Sequence, residues 1–399
     1  MRALRIPLCA CIALWLALLV GCAPKVAPVA TPTVAPTAAP TPASTAPPTS
    51  APTATPAPER VHLLVLEAGS LMIPLAAVED AFEAANPDID VELEAHGSIQ
   101  VIRHVTELRR PIDVVASADH ALLSLLMYQS IDPDSGRPYA DWNIRFAGNR
   151  MALAYRPDAP GAELLNADNW PAIIAQPRTR IGLADPRFDA CGYRQLMVLK
   201  LAEQAYGRPH LFNDLLTGRF IAPITAESAG SPAGSQTIVH VPELLEPRPN
   251  STIVLRGSSV QLIPLLQSGD VDYIFEYESV ATQHGLAHIV LLDSVNLGAP
   301  ALAAAYGQVA VQLDFRRFSS VEPLFTGEAI AYGLTIPTNA PQPAAAERFI
   351  AFLLGPEGQR LMAANHHPLL APPTVDHPER LPAALQPLCA PEPAAPGAR

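Results

Sequence analysis

The sequence predicts an α/β protein with two domains between its ends, and three observations lead to that prediction. Strand-like and helix-like stretches alternate from residue 60 to residue 383. The chain has 399 residues, of which 49% are hydrophobic, enough for two domains with a sizeable core. Its proline residues cluster near the two ends, which are therefore set apart from the folded region.

The first strand and helix are predicted in the segment HLLVLEAGSLMIPLAAVEDAF. The apolar run from His62 to Glu67 predicts a strand. Apolar residues then recur at nearly a helical period, at Ile73, Leu75, Val78 and Phe82. The helix is expected to end at Asn86-Pro87, because proline disfavours the α conformation in the residue before it. A turn at Gly69-Ser70 joins the strand to the helix.

The next segment repeats this arrangement. A strand is predicted at Ile89–Glu94, and after the Gly97-Ser98 turn a helix is predicted as far as residue 110, with Leu108 on its apolar face. Further strands are predicted at 112–117, 151–155, 180–183 and 329–337. A strand running into a helix is predicted over 271–285, and a pair of helices over 344–367 with a break at Gly355-Pro356.

The N-terminus has the features of an export signal. Arg2 and Arg5 precede an apolar run, Ile6 to Val20, that is short for a membrane span. The run ends in Leu-Val-Gly-Cys, which resembles a bacterial lipobox, so residues 1–21 are predicted to be a signal peptide and Cys22 to be lipidated. An ordinary signal peptide or a single membrane anchor are the alternatives. Each of these places the bulk of the chain outside the cytoplasm.

Two segments are expected to be disordered. Residues 22–59 consist almost entirely of Ala, Pro and Thr, so they have nothing to bury in a core. Their proline content favours polyproline II, and at ~3.1 Å per residue such a tether reaches roughly 100 Å. Residues 384–399 are again rich in Pro and Ala and are predicted to be a disordered tail.

Charge and cysteine content limit the partners and the covalent structure. Lys and Arg number 26 against 38 Asp and Glu, a net charge of −12, and this excludes nucleic acid as the expected partner. Of the 5 cysteines, Cys191 and Cys389 remain once the signal peptide and the lipidation site are set aside. They could pair in an oxidising compartment, but the sequence leaves that pairing open.

Three strand-to-helix turns carry small or polar residues: Gly69-Ser70, Gly97-Ser98 and Asp189-Ala190-Cys191-Gly192. Helix N-termini present unpaired N–H groups and about half a positive charge. Several of them converging would bind an anion without any Lys or Arg. The first two turns lie in one βαβ unit, at the sheet edge where ligands bind in such folds. The alternative is that the two serines only cap their own helices.

The ordered series AGS, HGS, CGYR, EYxSVAxQHG and YGxTIPxNAP resembles the substrate-binding proteins of tungstate/molybdate ABC transporters, the branch first described in archaea. The resemblance covers nearly the whole folded region. It implies the two-lobed, type II periplasmic-binding-protein-like fold, with mixed sheets flanked by helices and a ligand cleft between the lobes. Residues 60–148 and 296–383 are expected to form lobe 1, and residues 149–295 lobe 2. Hinge strands are expected near 146–155 and 296–309.

The resemblance also implies a set of oxyanion-binding positions. They are Gly69, Ser70, Ser98, Asp189, Ala190, Cys191, Ser259 and Tyr277. Ser259 stands where the family has an acidic residue that approaches the metal centre of the oxyanion, so tetrahedral and expanded coordination both stay open.

The neighbours of these positions carry expectations of their own. Glu276 is expected to face away from Tyr277, its neighbour on a strand. We expect Arg194 to be a salt-bridge partner at the surface or hinge, with an anion ligand as the alternative, and His366-His367 to lie in a solvated loop.

The implied function is an extracytoplasmic, membrane-anchored lipoprotein that captures tungstate or molybdate and delivers it to an ABC permease with its ATPase. The protein is expected to be a monomer without a cofactor and without a metal other than that of the ligand. The first alternative is the same fold binding sulfate, phosphate or a small organic acid. The second is a secreted enzyme that uses Asp185, Asp189 and a histidine as acid–base groups, and it would need a nucleophile or metal set beside a general base. The sequence contains no such set, no Gly-x-Ser-x-Gly and no P-loop.

Overall fold

The computed structural model describes residues 60–231, 234–314 and 323–393. The predicted signal peptide (1–21), the lipidation site Cys22 and the tether (22–59) lie outside the described residues. Within the described part of the chain, no helix is both long and apolar enough to span a membrane.

The strands, in chain order, are β1 Val61–Ala68, β2 Ile89–His96, β3 Val114–Ser117, β4 Ile144–Gly148, β5 Met151–Tyr155, β6 Ile181–Ala184, β7 Thr225–Ser231, β8 Gly234–Val241, β9 Ile253–Arg256, β10 Tyr273–Tyr277, β11 His288–Val290, β12 Val309–Leu313, β13 Leu324–Thr326, β14 Ala331–Thr335, β15 Leu369–Val375 and β16 Ala390–Pro391. The α-helices are α1 Met72–Ala85, α2 Ser98–Thr106, α3 Trp170–Ile174, α4 Ala190–Ala205, α5 Leu211–Leu216, α6 Ile263–Ser268, α7 Glu278–Gln283, α8 Ala303–Tyr306, α9 Pro343–Leu354 and α10 Pro356–Ala364. The predicted mixed α/β fold class is confirmed, and so are the predicted strand at 151–155 and the helix pair broken at Gly355-Pro356.

The first sheet has seven strands in the order β16-β15-β4-β14-β3-β1-β2. β1 pairs in parallel with both β2 and β3, because α1 and α2 carry the chain back between them. Six consecutive residues of β1 are buried, as expected for a strand covered on both faces. Phe82 of α1 packs edge-on against Phe349 of α9, with ring centroids 5.3 Å apart. We call this sheet and its helices the first lobe.

The second sheet has five strands in the order β11-β5-β10-β6-β9. β6 is parallel to β9 and β10, whereas β5 is antiparallel to β10. Helix α4 packs on this sheet and is buried on nearly all sides from Ala190 to Leu199. We call this sheet and its helices the second lobe.

A third sheet, β13-β12-β8-β7, corrects the predicted lobe boundary at 296. β12 pairs in parallel with β8, so that Val309 lies opposite Thr237, and both strands contact α4. Residues 309–314 and 323–326 therefore belong with the segment predicted as lobe 2. The chain rejoins the first sheet only at β14.

Two connections link the first two sheets, and they lie side by side. The chain crosses once between β4 and β5 and returns before β14. The Met151 N–H donates to the Asn296 carbonyl at 2.8 Å, and the Ile330 N–H donates to the Leu297 carbonyl at 2.8 Å. The first connection, at 149–150, falls in the predicted hinge segment near 146–155. The return, at 327–330, lies beyond the predicted segment near 296–309, although it pairs with residue 297 of that segment. Hinge motion itself stays a prediction.

The predicted disorder of residues 384–399 is wrong for residues 384–393. Leu385 is fully buried, and β16 pairs with β15 through Thr374 and Ala390. Glu392 forms an ion pair with Arg145 at 2.8 Å. The edge of the first sheet thus supplies partners that composition alone did not indicate, while residues 394–399 lie outside the described part.

The end of α2 and the state of the two remaining cysteines also bear on the predictions. Helix α2 ends at Thr106, so Leu108 is 62% exposed and does not lie on its apolar face. The thiols of Cys191 and Cys389 are both free, and Cys191 is buried.

Candidate functional site

The candidate site lies where strand ends of the two lobes meet. The turns after β1, β2 and β3 in the first lobe contact the turns after β6 and β9 in the second. A Cβ atom at Gly69 would lie 2.9 Å from Val260 Cγ2, and one at Gly97 would overlap the Phe188 carbonyl oxygen. Glycine is therefore required at both turns because the opposite lobe approaches the backbone so closely.

Most N–H groups in the first turn of α2 donate to other protein atoms and are not available to a ligand. The Ile99 and Gln100 N–H groups both donate to the Phe188 carbonyl, at 3.0 and 3.4 Å. At the third strand-to-helix turn, which begins α4, the Cys191 N–H donates to Asp189 Oδ1 at 2.9 Å. The prediction that bare helix amides supply the positive character is thus wrong for these three groups. The Ser98 N–H keeps no protein partner within the described residues.

The two serines of the Gly-Ser turns do not cap their helices. Ser98 Oγ accepts a hydrogen bond from the Ala118 N–H at 3.0 Å, which lies on the neighbouring strand end. Ser70 Oγ accepts one from the Tyr332 hydroxyl at 2.9 Å. The capping alternative is therefore contradicted. Each serine hydroxyl therefore accepts one hydrogen bond from the protein and can still donate its own proton to another acceptor.

Arg194 of α4 is 3% exposed and lies at the lobe interface, so the surface position that we considered is wrong, whereas its predicted role as a salt-bridge partner is confirmed. Its Nη1 donates to the Tyr277 hydroxyl at 2.8 Å and to the Ala118 carbonyl at 2.7 Å. Burial raises the pKa of Tyr277 well above its usual value, so the phenol stays protonated. Tyr277 thereby becomes a third hydroxyl that accepts from the protein and retains its proton.

A buried carboxylate balances the charge of Arg194. Asp119 Oδ2 lies 3.3 Å from Arg194 Nη2 and accepts a hydrogen bond from the Tyr193 hydroxyl. Burial alone would raise the pKa of Asp119, but Arg194, His120 and Tyr193 together hold it below the usual value. Nη2 itself makes no hydrogen bond to the described residues. The pair therefore links the lobes and leaves one guanidinium nitrogen available.

Two acidic side chains, Asp189 and Glu276, lie on the other side of the site. Asp189 begins α4, and its Oδ2 accepts from the Ser259 N–H at 2.8 Å. Glu276 Oε1 accepts from Ser259 Oγ at 3.1 Å and from the Tyr277 N–H at 2.8 Å. Glu276 thus bends back toward the strand end, and the prediction that it faces away is wrong. Burial raises the pKa of Glu276 to about 8 and also raises that of Asp189.

Behind Ser70, a buried polar layer holds Tyr332. Asn149 Nδ2 donates to the Tyr332 hydroxyl at 3.1 Å and to Ser279 Oγ at 2.8 Å. The His367 ring stands edge-on to Tyr332, with centroids 4.5 Å apart, and is 1% exposed. Burial lowers the pKa of His367 to about 4, so this histidine is neutral and does not lie in a solvated loop.

These contacts join most of the predicted positions into one network. The members from both lobes are Gly69, Ser70, Ser98, Asp189, Cys191, Ser259 and Tyr277. Ala190 is buried at the first position of α4, next to Asp189. Sequence reasoning missed Asp119 and Tyr332 altogether. It predicted the salt-bridge role of Arg194, which lies inside the CGYR motif, but not its burial between the lobes.

Comparison with known proteins places the chain. Residues 63–366 match the family model described as bacterial extracellular solute-binding protein. The chain belongs to this family. The resemblance predicted from the motifs is thereby confirmed at the level of a solute-binding family that acts outside the cytoplasm.

Named relatives of this solute-binding protein are similar over most of their length. An uncharacterized solute-binding protein of Methanoculleus marisnigri is 35% identical over 317 residues, 79% of this chain and 84% of its own. The molybdate/tungstate-binding protein WtpA of Thermococcus kodakarensis is 34% identical over 318 residues, covering 78% and 83%. Among solved structures, the Azotobacter vinelandii periplasmic molybdate-binding protein aligns with 76% of this chain and 98% of its own, at 14% identity and a TM-score of 0.49.

Proposed function

We propose that this solute-binding protein captures molybdate or tungstate outside the cytoplasm and delivers it to an ABC permease. Relatives named molybdate/tungstate-binding protein WtpA, from Thermococcus kodakarensis and Pyrococcus abyssi, are 34% and 32% identical to it. The geometry of the site supports an anion that only accepts hydrogen bonds.

The observation that carries the proposal is the state of three hydroxyl groups. Ser70, Ser98 and Tyr277 each accept a hydrogen bond from the protein and retain a proton to donate. A fully deprotonated tetrahedral dianion has acceptors on every side and no proton to give. Hydrogen bonds to a charged group contribute about 1.5–3 kcal/mol each, so three of them would bind such an ion tightly.

The charges around the site also fit a dianion. Two unit charges ~4 Å apart repel by about 4 kcal/mol at an effective dielectric constant of 20, so every ionised carboxylate near the ligand is costly. Asp119 is neutralised by Arg194, and Glu276 holds its proton at neutral pH. Asp189 is the remaining acid, and backbone amides occupy one position on each of its oxygens. We expect Asp189 to be the single carboxylate that approaches the metal centre.

Ser259 favours one alternative ligand class. Its hydroxyl proton points to Glu276, and no carboxylate stands at its position. A site with one acid instead of two suits a tetrahedral ion, so sulfate is the second candidate. Size separates the candidates, because tungstate and molybdate are larger than sulfate and a rigid set of donors would hold the smaller ion by long, weak bonds.

Delivery needs the chain to open, close and stay near its transporter. We propose that the lobes close about the neighbouring connections at 149–150 and 327–330, and that the interlobe contacts of Arg194 stabilise the closed form. Lipidated Cys22 and the proline-rich tether would hold the monomeric protein at the membrane. ATP hydrolysis would belong to the partner ATPase, and the chain itself would not be an enzyme.

Isothermal titration calorimetry with tungstate, molybdate, sulfate and phosphate tests this proposal. We expect one equivalent of tungstate or molybdate to bind far more tightly than sulfate or phosphate. Sulfate binding as tightly as tungstate would favour the alternative ligand. No binding of any oxyanion would contradict the proposed site.

A further inference from the structure

A second cluster of potential ligand atoms lies on the first lobe, outside the anion site. Glu94 and His96 are two residues apart on β2, the edge strand of the first sheet, and so point to the same face. His104 of α2 faces them, with its ring centroid 4.4 Å from that of His96. One donor atom from each of the three side chains lies within 4.8 Å of the others.

A cationic nitrogen already lies between these donors. Arg110 Nη1 is 2.6 Å from Glu94 Oε2 and 3.0 Å from His104 Nδ1. His96 Nε2 is 3.5 Å from the same Glu94 oxygen. A guanidinium can only donate, so His104 Nδ1 must be the unprotonated nitrogen, with its lone pair directed at the cation.

The cluster is open to solvent and suited to metal binding. The side chains of Glu94, His96 and Arg110 are 27%, 32% and 33% exposed. Two imidazoles and one carboxylate form a ligand set that zinc uses in proteins, with one position left for water.

We propose that Glu94, His96 and His104 bind one divalent transition-metal ion of the zinc type, in exchange for the Arg110 guanidinium. The exchange replaces one cation with another, so the carboxylate stays paired throughout. Zn–N and Zn–O distances are about 2.0–2.2 Å, so the donors would need to move together by about 1 Å. Arg110 follows the end of α2 and can swing into solvent because its side chain is partly exposed.

The position of this metal site gives it a structural consequence. His96 directly precedes the Gly97-Ser98 turn, and His104 lies on the helix that follows that turn. A bound ion would link the end of β2 to α2 across the turn. Metal binding is therefore expected to raise the melting temperature of the protein.

The chain supplies a matched control on the same face of the molecule. His62 of β1 and Glu92 of β2 form an exposed pair, 2.8 Å apart. This pair has the same chemistry as the proposed site but only one histidine and one carboxylate. It is not expected to bind the ion with comparable affinity.

The test is zinc titration of the full chain purified without a histidine tag, followed by calorimetry and by the visible absorption of Co²⁺ in its place. We expect one equivalent to bind. His96→Ala and His104→Ala should each weaken binding at least about tenfold, and His62→Ala should leave it unchanged. Arg110→Ala should strengthen binding, because it removes the competing cation.

Melting curves without zinc show whether each variant is folded, and His104→Gln serves if the alanine variant is not. Zinc binding that survives both His96→Ala and His104→Ala would overturn the site. A weaker or unchanged affinity in Arg110→Ala would overturn the exchange. Tungstate binding is measured separately, so failure here leaves the proposed function untouched.

Discussion

Replacing Ser98 with alanine separates a ligand-binding role from a structural one. In the folded protein, Ser98 Oγ accepts a hydrogen bond from the Ala118 N–H at 3.0 Å, and both residues are 1% exposed. Alanine removes this acceptor and also the hydroxyl proton that we assign to the oxyanion. The two losses affect different measurements, because only the second involves the ligand.

The expected magnitudes follow from the two bonds. Loss of a donor to a charged ligand costs about 1.5–3 kcal/mol of binding free energy, or about a 10- to 150-fold loss of tungstate affinity. Leaving the buried Ala118 N–H without an acceptor costs about 1–3 kcal/mol of unfolding free energy. Ser98→Ala is therefore expected to lower both the affinity for tungstate and the stability of the protein without ligand.

Calorimetric titration with tungstate measures the first effect, and urea unfolding without ligand measures the second. Ser124→Ala is the matched control, because Ser124 Oγ bonds to the Ala121 carbonyl within its own helical turn. The control should lose little affinity. If Ser98→Ala lost stability but bound tungstate as tightly as the unchanged protein, the assignment of its hydroxyl to the ligand would be refuted.

Three further predictions follow from the buried contacts. Arg194→Ala should destabilise the protein by about 3–5 kcal/mol in urea unfolding and abolish tungstate binding, because it leaves Asp119 buried without its cation; stability near that of the unchanged protein would contradict the buried pair. The pKa of Glu276 is raised by burial from 4.5 to about 8, so the folded protein keeps a proton that the unfolded chain loses. The contribution of the Glu276 proton to the free energy of unfolding is fully present below about pH 4.5 and is lost as the pH rises to about 8, at up to about 1.4 kcal/mol per pH unit. Glu276→Gln should remove this part of the pH dependence of stability. An unchanged pH profile in that variant would show that Glu276 is ionised in the folded protein. Gly97→Ala places a Cβ against a carbonyl of the opposite lobe and should cost about 1–3 kcal/mol in closure, seen as weaker tungstate binding; Gly230→Ala, with no neighbour within 4 Å, is the control.

Much of the fold could be predicted from local patterns. The strand at Met151–Tyr155 and the helices flanking Gly355-Pro356 follow from apolar periodicity and from helix-ending residues. The third sheet could not be predicted in this way. The sequence of β7, TAESAGS, is small and polar, and β12 finds its partner β8 about 70 residues away, through pairing that no local window contains.

The sequence indicates those parts of the candidate site that depend on backbone geometry. It does not indicate the side-chain contacts that join one element to another. The Gly-Ser turns are visible in the sequence because close approach of the opposite lobe requires glycine at 69 and 97. A surface position for Arg194 was considered because an arginine on a helix is usually exposed, but α4 is buried on nearly all sides from Ala190 to Leu199. Glu276 was misplaced because the alternation rule describes a strand interior. At the end of β10 the carboxylate turns back to the Tyr277 N–H instead.

We propose that hydroxyl groups from both lobes hold one oxyanion. A crystal structure grown with tungstate, with anomalous scattering measured at a tungsten edge, tests it most directly. We expect a single strong peak between the lobes, with tungstate oxygens at hydrogen-bond distance from Ser70 Oγ, Ser98 Oγ and the Tyr277 hydroxyl. A peak elsewhere, or a tungstate that touches none of the three, would contradict it.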